Sequence, residues 1–249
     1  MHWAFAIFIS ICKLYGPHFA ALYTRLSKLP NLTPLTHHFQ SPGVDNSSKK
    51  FMPGGSGYEI AHGITGVLEY LLSISPISGP TSSTSVEDTG SIYSDPETHT
   101  RLKATYAAIA KYDRTLVERL LGHLTSEKLA KRGVRVLGEE TIHEGRVPTI
   151  SFVVVKGDTG DAISGKDIAK VFDAKGGVSC FLAIPASYLM RVLQLGIRYG
   201  HCHAYTLVDT LRPKVDVDND VVRISLLHYS TIEEVDRLIE VLDEALGVR

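Results

Sequence analysis

Apolar and polar positions follow two periods along this chain, and each period predicts its own kind of element. Residues 4–12 form a continuous apolar run, the pattern expected of a strand covered on both faces in a parallel sheet. A break at Gly16-Pro17 separates it from a second apolar element, "HFAALYTRLSKL". A polar, proline-containing loop then runs to "MPGGSGYE". Beyond it Ile60, Ile64, Val67, Leu68 and Leu71 line one face of a helix over 58–74. Leu102, Tyr106, Ile109, Leu116, Leu120 and Leu124 mark a second, long helix. Strands are expected over 134–137, 149–155 and 221–227. Ser164-Gly165-Lys166-Asp167 resembles a capping box opening a helix to Phe172. Thr231-Ile232-Glu233-Glu234 caps another that carries Val235, Leu238, Ile239 and Leu242. Strands alternating with helices predict an α/β fold.

Two stretches fall outside this rhythm. "SPISGPTSSTSVEDTGSIYSDPE" is rich in Ser, Thr, Pro and Gly and reads as an exposed linker, placed at 76–97 between segments 1–75 and 98–249. "GGVSCFLAIPASYLMRVLQLGIRYGH" is a long apolar run with a proline inside it. Residues 178–194 within it are either a genuine insertion or translated intron. Val-Ser is what GTA-AGT spells, Gln is encoded by CAG, and removal would join "FDAKGG" to "LGIRYGH" by a connection of ordinary length.

Composition narrows the classes. A chain of 249 residues, 44% hydrophobic and 21% charged, is long enough for one large or two small domains with real cores. With 26 basic and 27 acidic residues the net charge is −1, which gives no footprint for nucleic acid or an anionic membrane. Three widely spaced cysteines do not make a disulfide framework, so a reducing, cytoplasmic setting is expected. The apolar start lacks the basic flank and cleavage site of a signal peptide and is too short to span a bilayer. A chain seldom opens on a buried central strand, so the domain is expected to begin upstream of Met1.

The candidate chemistry begins at Lys13, a charged amine closing the first apolar run. It is either a strand-end lysine whose head reaches water or an amine held for covalent chemistry in a dry site. Arg223, flanked by apolar residues on "VVRISLL", needs an anionic partner, either a protein carboxylate or a substrate carboxylate. His201 and His203 would share a strand face in "GHCHAY", but no third or fourth metal ligand is visible nearby, so no metal site is expected.

These segments together resemble class V aminotransferases and cysteine-desulfurase-like proteins. "SICKLYGPHFAALYTR" looks like their cofactor-lysine segment, and "MPGGSGYE" sits where they have a Gly-Thr turn. "RVPTISF", "IRYGHCHAY" and "VVRISLLHYSTIEEVDRLIEVL" follow in family order. The match is to the second half of that family's chain. The resemblance implies fold type I, with the end of the large domain followed by the small C-terminal α/β domain. It implies pyridoxal 5'-phosphate as cofactor, a small amino acid as substrate, a homodimer if complete, and transaminase, lyase or desulfurase-like chemistry. Lys13 would be the Schiff-base lysine and, once released, would move the substrate Cα proton. Ser10 would help hold the cofactor phosphate, and Gly55 with Ser56 would reach the phosphate of a neighbouring subunit, unless they form a plain turn. Cys12 replaces a common histidine. Arg223 would grip the substrate carboxylate, with Arg198 a second candidate for that pocket. Relatives that extrude sulfur carry their reactive thiol one position after Cys202, so Cys202 is offset from that role. The alternative reading is a non-catalytic truncated remnant or gene-model fragment.

Overall fold

The computed structural model describes residues 6–33, 51, 55, 57–79, 96–175 and 197–248. The chain divides into two units, Met1–Tyr106 and Ala107–Arg249. Most of the Ser-rich segment and all of 178–194 lie outside the described residues, as does Ser56.

In the first unit, β1 (Ala6–Ser10) pairs antiparallel with β2 (Ala20–Thr24), with Phe8 opposite Leu22 and Ile7 opposite Tyr23. This corrects the expectation of a buried strand of parallel type over 4–12. The run ends at Ser10, a 3-10 turn occupies Ile11–Leu14, and Phe8 is 82% exposed. The reason lies in the Gly16-Pro17 corner. It returns the chain at once, so the next apolar segment becomes the nearest partner, and Ile11 N–H donates to Phe19 O at 2.8 Å. A continuous apolar run carries no information on which direction its partner will take.

Helix α1 (Tyr58–Ser73) turns its C-terminal Leu71 and Leu72 inward. Its last carbonyls are met by side chains of α2 (Pro96–Leu124): Arg101 Nη2 donates to Leu72 O at 3.0 Å and Thr105 Oγ1 to Leu71 O at 3.0 Å. Those bonds satisfy groups that a helix end leaves unpaired.

The second unit is a four-stranded antiparallel sheet, order β3-β4-β6-β5. Its strands are β3 (Val134–Leu137), β4 (Thr149–Val154), β5 (Ile197–Tyr199) and β6 (Val222–Ser225). Alternation puts Ile150, Phe152, Val222, Ile224 and Ile197 on one face. They form a single core with α4 (Gly165–Ala174), α6 (Ile232–Leu246) and the C-terminal half of α2, where Leu116, Leu120 and Leu124 are buried. Two short helices escaped the periodicity. One is α3 (Glu127–Arg132), capped by Ser126 Oγ and closed by Gly133; the other is α5 (Tyr205–Asp209). Gly133 adopts φ 105°, and a Cβ there would lie 1.9 Å from Val155 O, so both conformation and space demand glycine. The helix opened by Thr231 carries the full reciprocal box, with Glu234 N donating to Thr231 Oγ1 and Thr231 N to Glu234 Oε2. At Ser164 the hydroxyl accepts from Asp167 N and donates to the Asp167 carboxylate instead.

Candidate functional site

The turn carrying Lys13 is built from the residues around it. Ile11 is its buried anchor, and Gly16 N–H donates back to Ile11 O at 3.1 Å. A Cβ on Gly16 would come within 2.4 Å of Ile11 Cγ2 and 2.7 Å of Val67 Cγ2, so the close approach to α1 explains glycine at this place. Ser10 Oγ and Cys12 Sγ lie 3.1 Å apart. Lys13 itself stands exposed on the last turn of the 3-10 segment. The argument that a buried strand end desolvates this amine is therefore corrected: the strand stops three residues earlier and the side chain meets water. Gly55 is exposed, with open space where a Cβ would stand. Lys13, Ser10 and Gly55 belong to the first unit, Arg198 and Arg223 to the second.

On the second unit the structure brings the two arginines together. Arg198 on β5 lies directly opposite Arg223 on β6, and Ser151 on β4 lies directly opposite Arg223 on its other side. Leu137 completes that row on β3. Thr149 and Ser225 form the next row, joined by a 3.2 Å hydroxyl bond. This is the sheet face turned away from the large core. The very next row of the same face in the other direction is apolar, where Val153 and Val221 pack with Val208 and Val215, and Leu137 packs against them. Arg223 is half-buried and Arg198 exposed, and among the described residues no carboxylate pairs with either guanidinium. Like charges directly opposed across strands repel, so the arrangement is costly without an anion. Ser151 escaped sequence reasoning. Its only signal was the alternation of "TISF", which places it on the face away from Ile150 and Phe152.

The histidine pair is not strand-borne. β5 ends at Tyr199, and Cys202 and His203 follow in a tight turn with φ of 48° and 70°. His203 N–H donates to His201 Nδ1 at 3.1 Å. Among the described residues no group of three or more possible metal ligands is found.

A buried carboxyl was also missed. Asp113 on α2 is 8% exposed, its Oδ1 is buried with no hydrogen-bond partner among the described residues, and burial raises its pKa from 3.8 to about 6.

No family model matches the chain. A curated relative does. The chain is similar to the aminotransferase-like protein FGM3 of Gibberella zeae, 28% identical over 235 residues. That alignment takes in 94% of this chain and 44% of the relative, so the chain spans less than half the relative's length. The likeness points to an aminotransferase-like family. No described helix is long and apolar enough to cross a membrane.

Proposed function

We propose that this chain is part of a pyridoxal-phosphate-dependent enzyme of the class V aminotransferase type, of fold type I, acting on a small amino acid. The likeness to an aminotransferase-like protein over 94% of the chain carries the reading. Two features of the structure support it. The residues of the Lys13 turn fit the attachment end of the cofactor: the amine is exposed, no described carboxylate pairs with it, and the Ser10 hydroxyl stands three residues away at the surface. The Arg198–Arg223 pair supplies cationic groups that no carboxylate pairs with among the described residues.

In this reading Lys13 holds the cofactor covalently, and Ser10, with the backbone at Gly55 and with Ser56, contacts its phosphate. Bound pyridoxal phosphate supplies the electron sink for chemistry at the substrate Cα. Arg223 grips the substrate carboxylate with a planar fork of donors. The amine of Lys13 would be the group that moves the substrate Cα proton. Assembly as a homodimer in the cytoplasm belongs to the same proposal.

The test is direct. Incubating the 249-residue chain with pyridoxal phosphate and reducing with borohydride should leave a pyridoxyl group on Lys13, read by peptide mass spectrometry. Lys13→Ala should lose the label. Wild-type protein left unlabelled, or equal labelling spread over other lysines and unchanged in Lys13→Ala, overturns the assignment.

A further inference from the structure

We infer that Cys12 is a positioning residue for cofactor binding: its thiol donates to the Ser10 hydroxyl and leaves the hydroxyl hydrogen for the cofactor phosphate. This rests on the reading of Lys13 as the attachment lysine and of Ser10 as a phosphate contact.

The inference starts from a serine that does not do what its place predicts. Ser10 stands at the N-cap of the 3-10 turn Ile11–Leu14, with extended backbone at φ −89° and ψ 113°. A serine oxygen there ordinarily accepts from a backbone N–H of the first turn. No such bond forms. Ser10 Oγ lies 3.1 Å from Cys12 Sγ instead. The facing strand does not compete for the hydroxyl, because Ala20, directly opposite Ser10, has no polar atom in its side chain.

The direction of this bond follows from what the hydroxyl is asked to do. A hydroxyl has one hydrogen and two lone pairs, whereas a thiol is both a weak donor and a weak acceptor. A phosphate dianion offers acceptors only, so a hydroxyl that binds it must donate. Oγ is then left as an acceptor, and the thiol two residues on is the donor placed to fill it. In the run from Sγ–H to Oγ–H to phosphate, each bond polarises the next. Exposure separates the roles. Ser10 and Lys13 are exposed and Cys12 is half-buried, so the thiol acts through the hydroxyl. Cys12 and Lys13 are also chain neighbours, so one short turn sets the hydroxyl and the amine together.

The test compares two aldehydes that differ by the phosphate. The full 249-residue chain is incubated with pyridoxal phosphate or with pyridoxal and trapped with borohydride, and the label on Lys13 is read by peptide mass spectrometry. N-acetyl-lysine in the same tube normalises for the different reactivities of the aldehydes, which leaves the phosphate preference of Lys13. Ser10→Ala should lower that preference by about threefold to tenfold, as for one exposed hydrogen bond. Cys12→Ala should lower it by a similar factor. Combined with Ser10→Ala it should lower it no further, because the thiol works only through the hydroxyl. Cys12→Ser keeps a donor and should restore most of the preference. A turn merely deformed by Cys12→Ala would lose labelling by both aldehydes alike, with the preference unchanged. That result, additive losses in the double variant, or a wild type without phosphate preference overturns the inference. Lys13 left unlabelled by either aldehyde defeats the cofactor reading and this inference with it. Lys13 labelled with a preference that Cys12→Ala does not move defeats the inference alone.

Discussion

The two units of this chain treat their apolar residues differently. In the second, one sheet face and helices α2, α4 and α6, with Leu129 of α3, close over Phe152, Phe172, Leu116, Leu120, Ile150 and Ile224, all under 2% exposed. In the first, Phe8 is 82% exposed, Tyr58 75%, Tyr23 55% and Ile60 45%. The difference lies in how many elements share a core. A two-stranded ribbon has no second layer, and a strand pair of this kind is marginal by itself in water. The second unit has a sheet with helices stacked on one face, so each apolar side chain finds neighbours on several elements. Apolar composition makes burial favourable; the supply of partner surfaces decides whether it happens.

The sharpest way to break the comparison is to delete one large aromatic from each unit. Phe152→Ala should cost about 3–5 kcal/mol in urea unfolding, because it opens a cavity that the surrounding sheet and helices cannot fill. Equal losses for Phe152→Ala and Phe8→Ala would show that the first unit is packed as tightly as the second.

Asp113 offers an intermediate effect. Its carboxyl is protonated more readily in the folded chain than in the unfolded one, since burial raises its pKa from 3.8 to about 6. The folded state thus binds more protons between those values, and stability falls as pH rises through that window. Asp113→Asn removes the buried charge. It should stabilise the protein by on the order of 2 kcal/mol at pH 7–8, with the gain shrinking towards zero below pH 4. Thermal unfolding of both proteins across that range checks the sign. A gain that is independent of pH would place the effect elsewhere.

Thr231→Ala removes one half of the reciprocal cap of α6, the helix whose Val235, Leu238 and Leu242 enter the main core. The expected loss is about 1 kcal/mol, seen as a lower urea midpoint with an unchanged slope. Thr231→Ser should recover most of it, because the hydroxyl is what caps.

The smallest stability effect belongs to Phe8→Ser, within about 0.5 kcal/mol as for exposed positions generally. Its consequence should appear in self-association instead. Light scattering at rising concentration should decrease relative to wild type, because an exposed apolar group on a ribbon with open edges is removed.

Legibility in the sequence followed the range of the interaction. Helices α1, α2, α4 and α6 were visible because their signals are local: three-to-four spacing, with Ser164 and Thr231 as caps. Strands β3, β4 and β6 fall within the runs expected as strands over 134–137, 149–155 and 221–227. Short α3 and α5 were missed because five or six residues carry too little periodicity to register. Lys13, Arg198 and Arg223 were singled out from residue type and neighbours.

Their settings were not legible, because each depends on a partner distant in the chain. Tertiary structure made residues 6–10 half of an antiparallel ribbon by returning the chain at Gly16-Pro17, and so left Lys13 exposed. Register across β4, β6 and β5 set Ser151, Arg223 and Arg198 in one row. Packing around α2 buried Asp113 with no partner for Oδ1 among the described residues. The sequence by itself determined which segments coil and which extend, because hydrophobic period and capping act within a few residues. Which side chains face one another, and which charges stand unpaired, was decided by contacts between segments that no local pattern encodes.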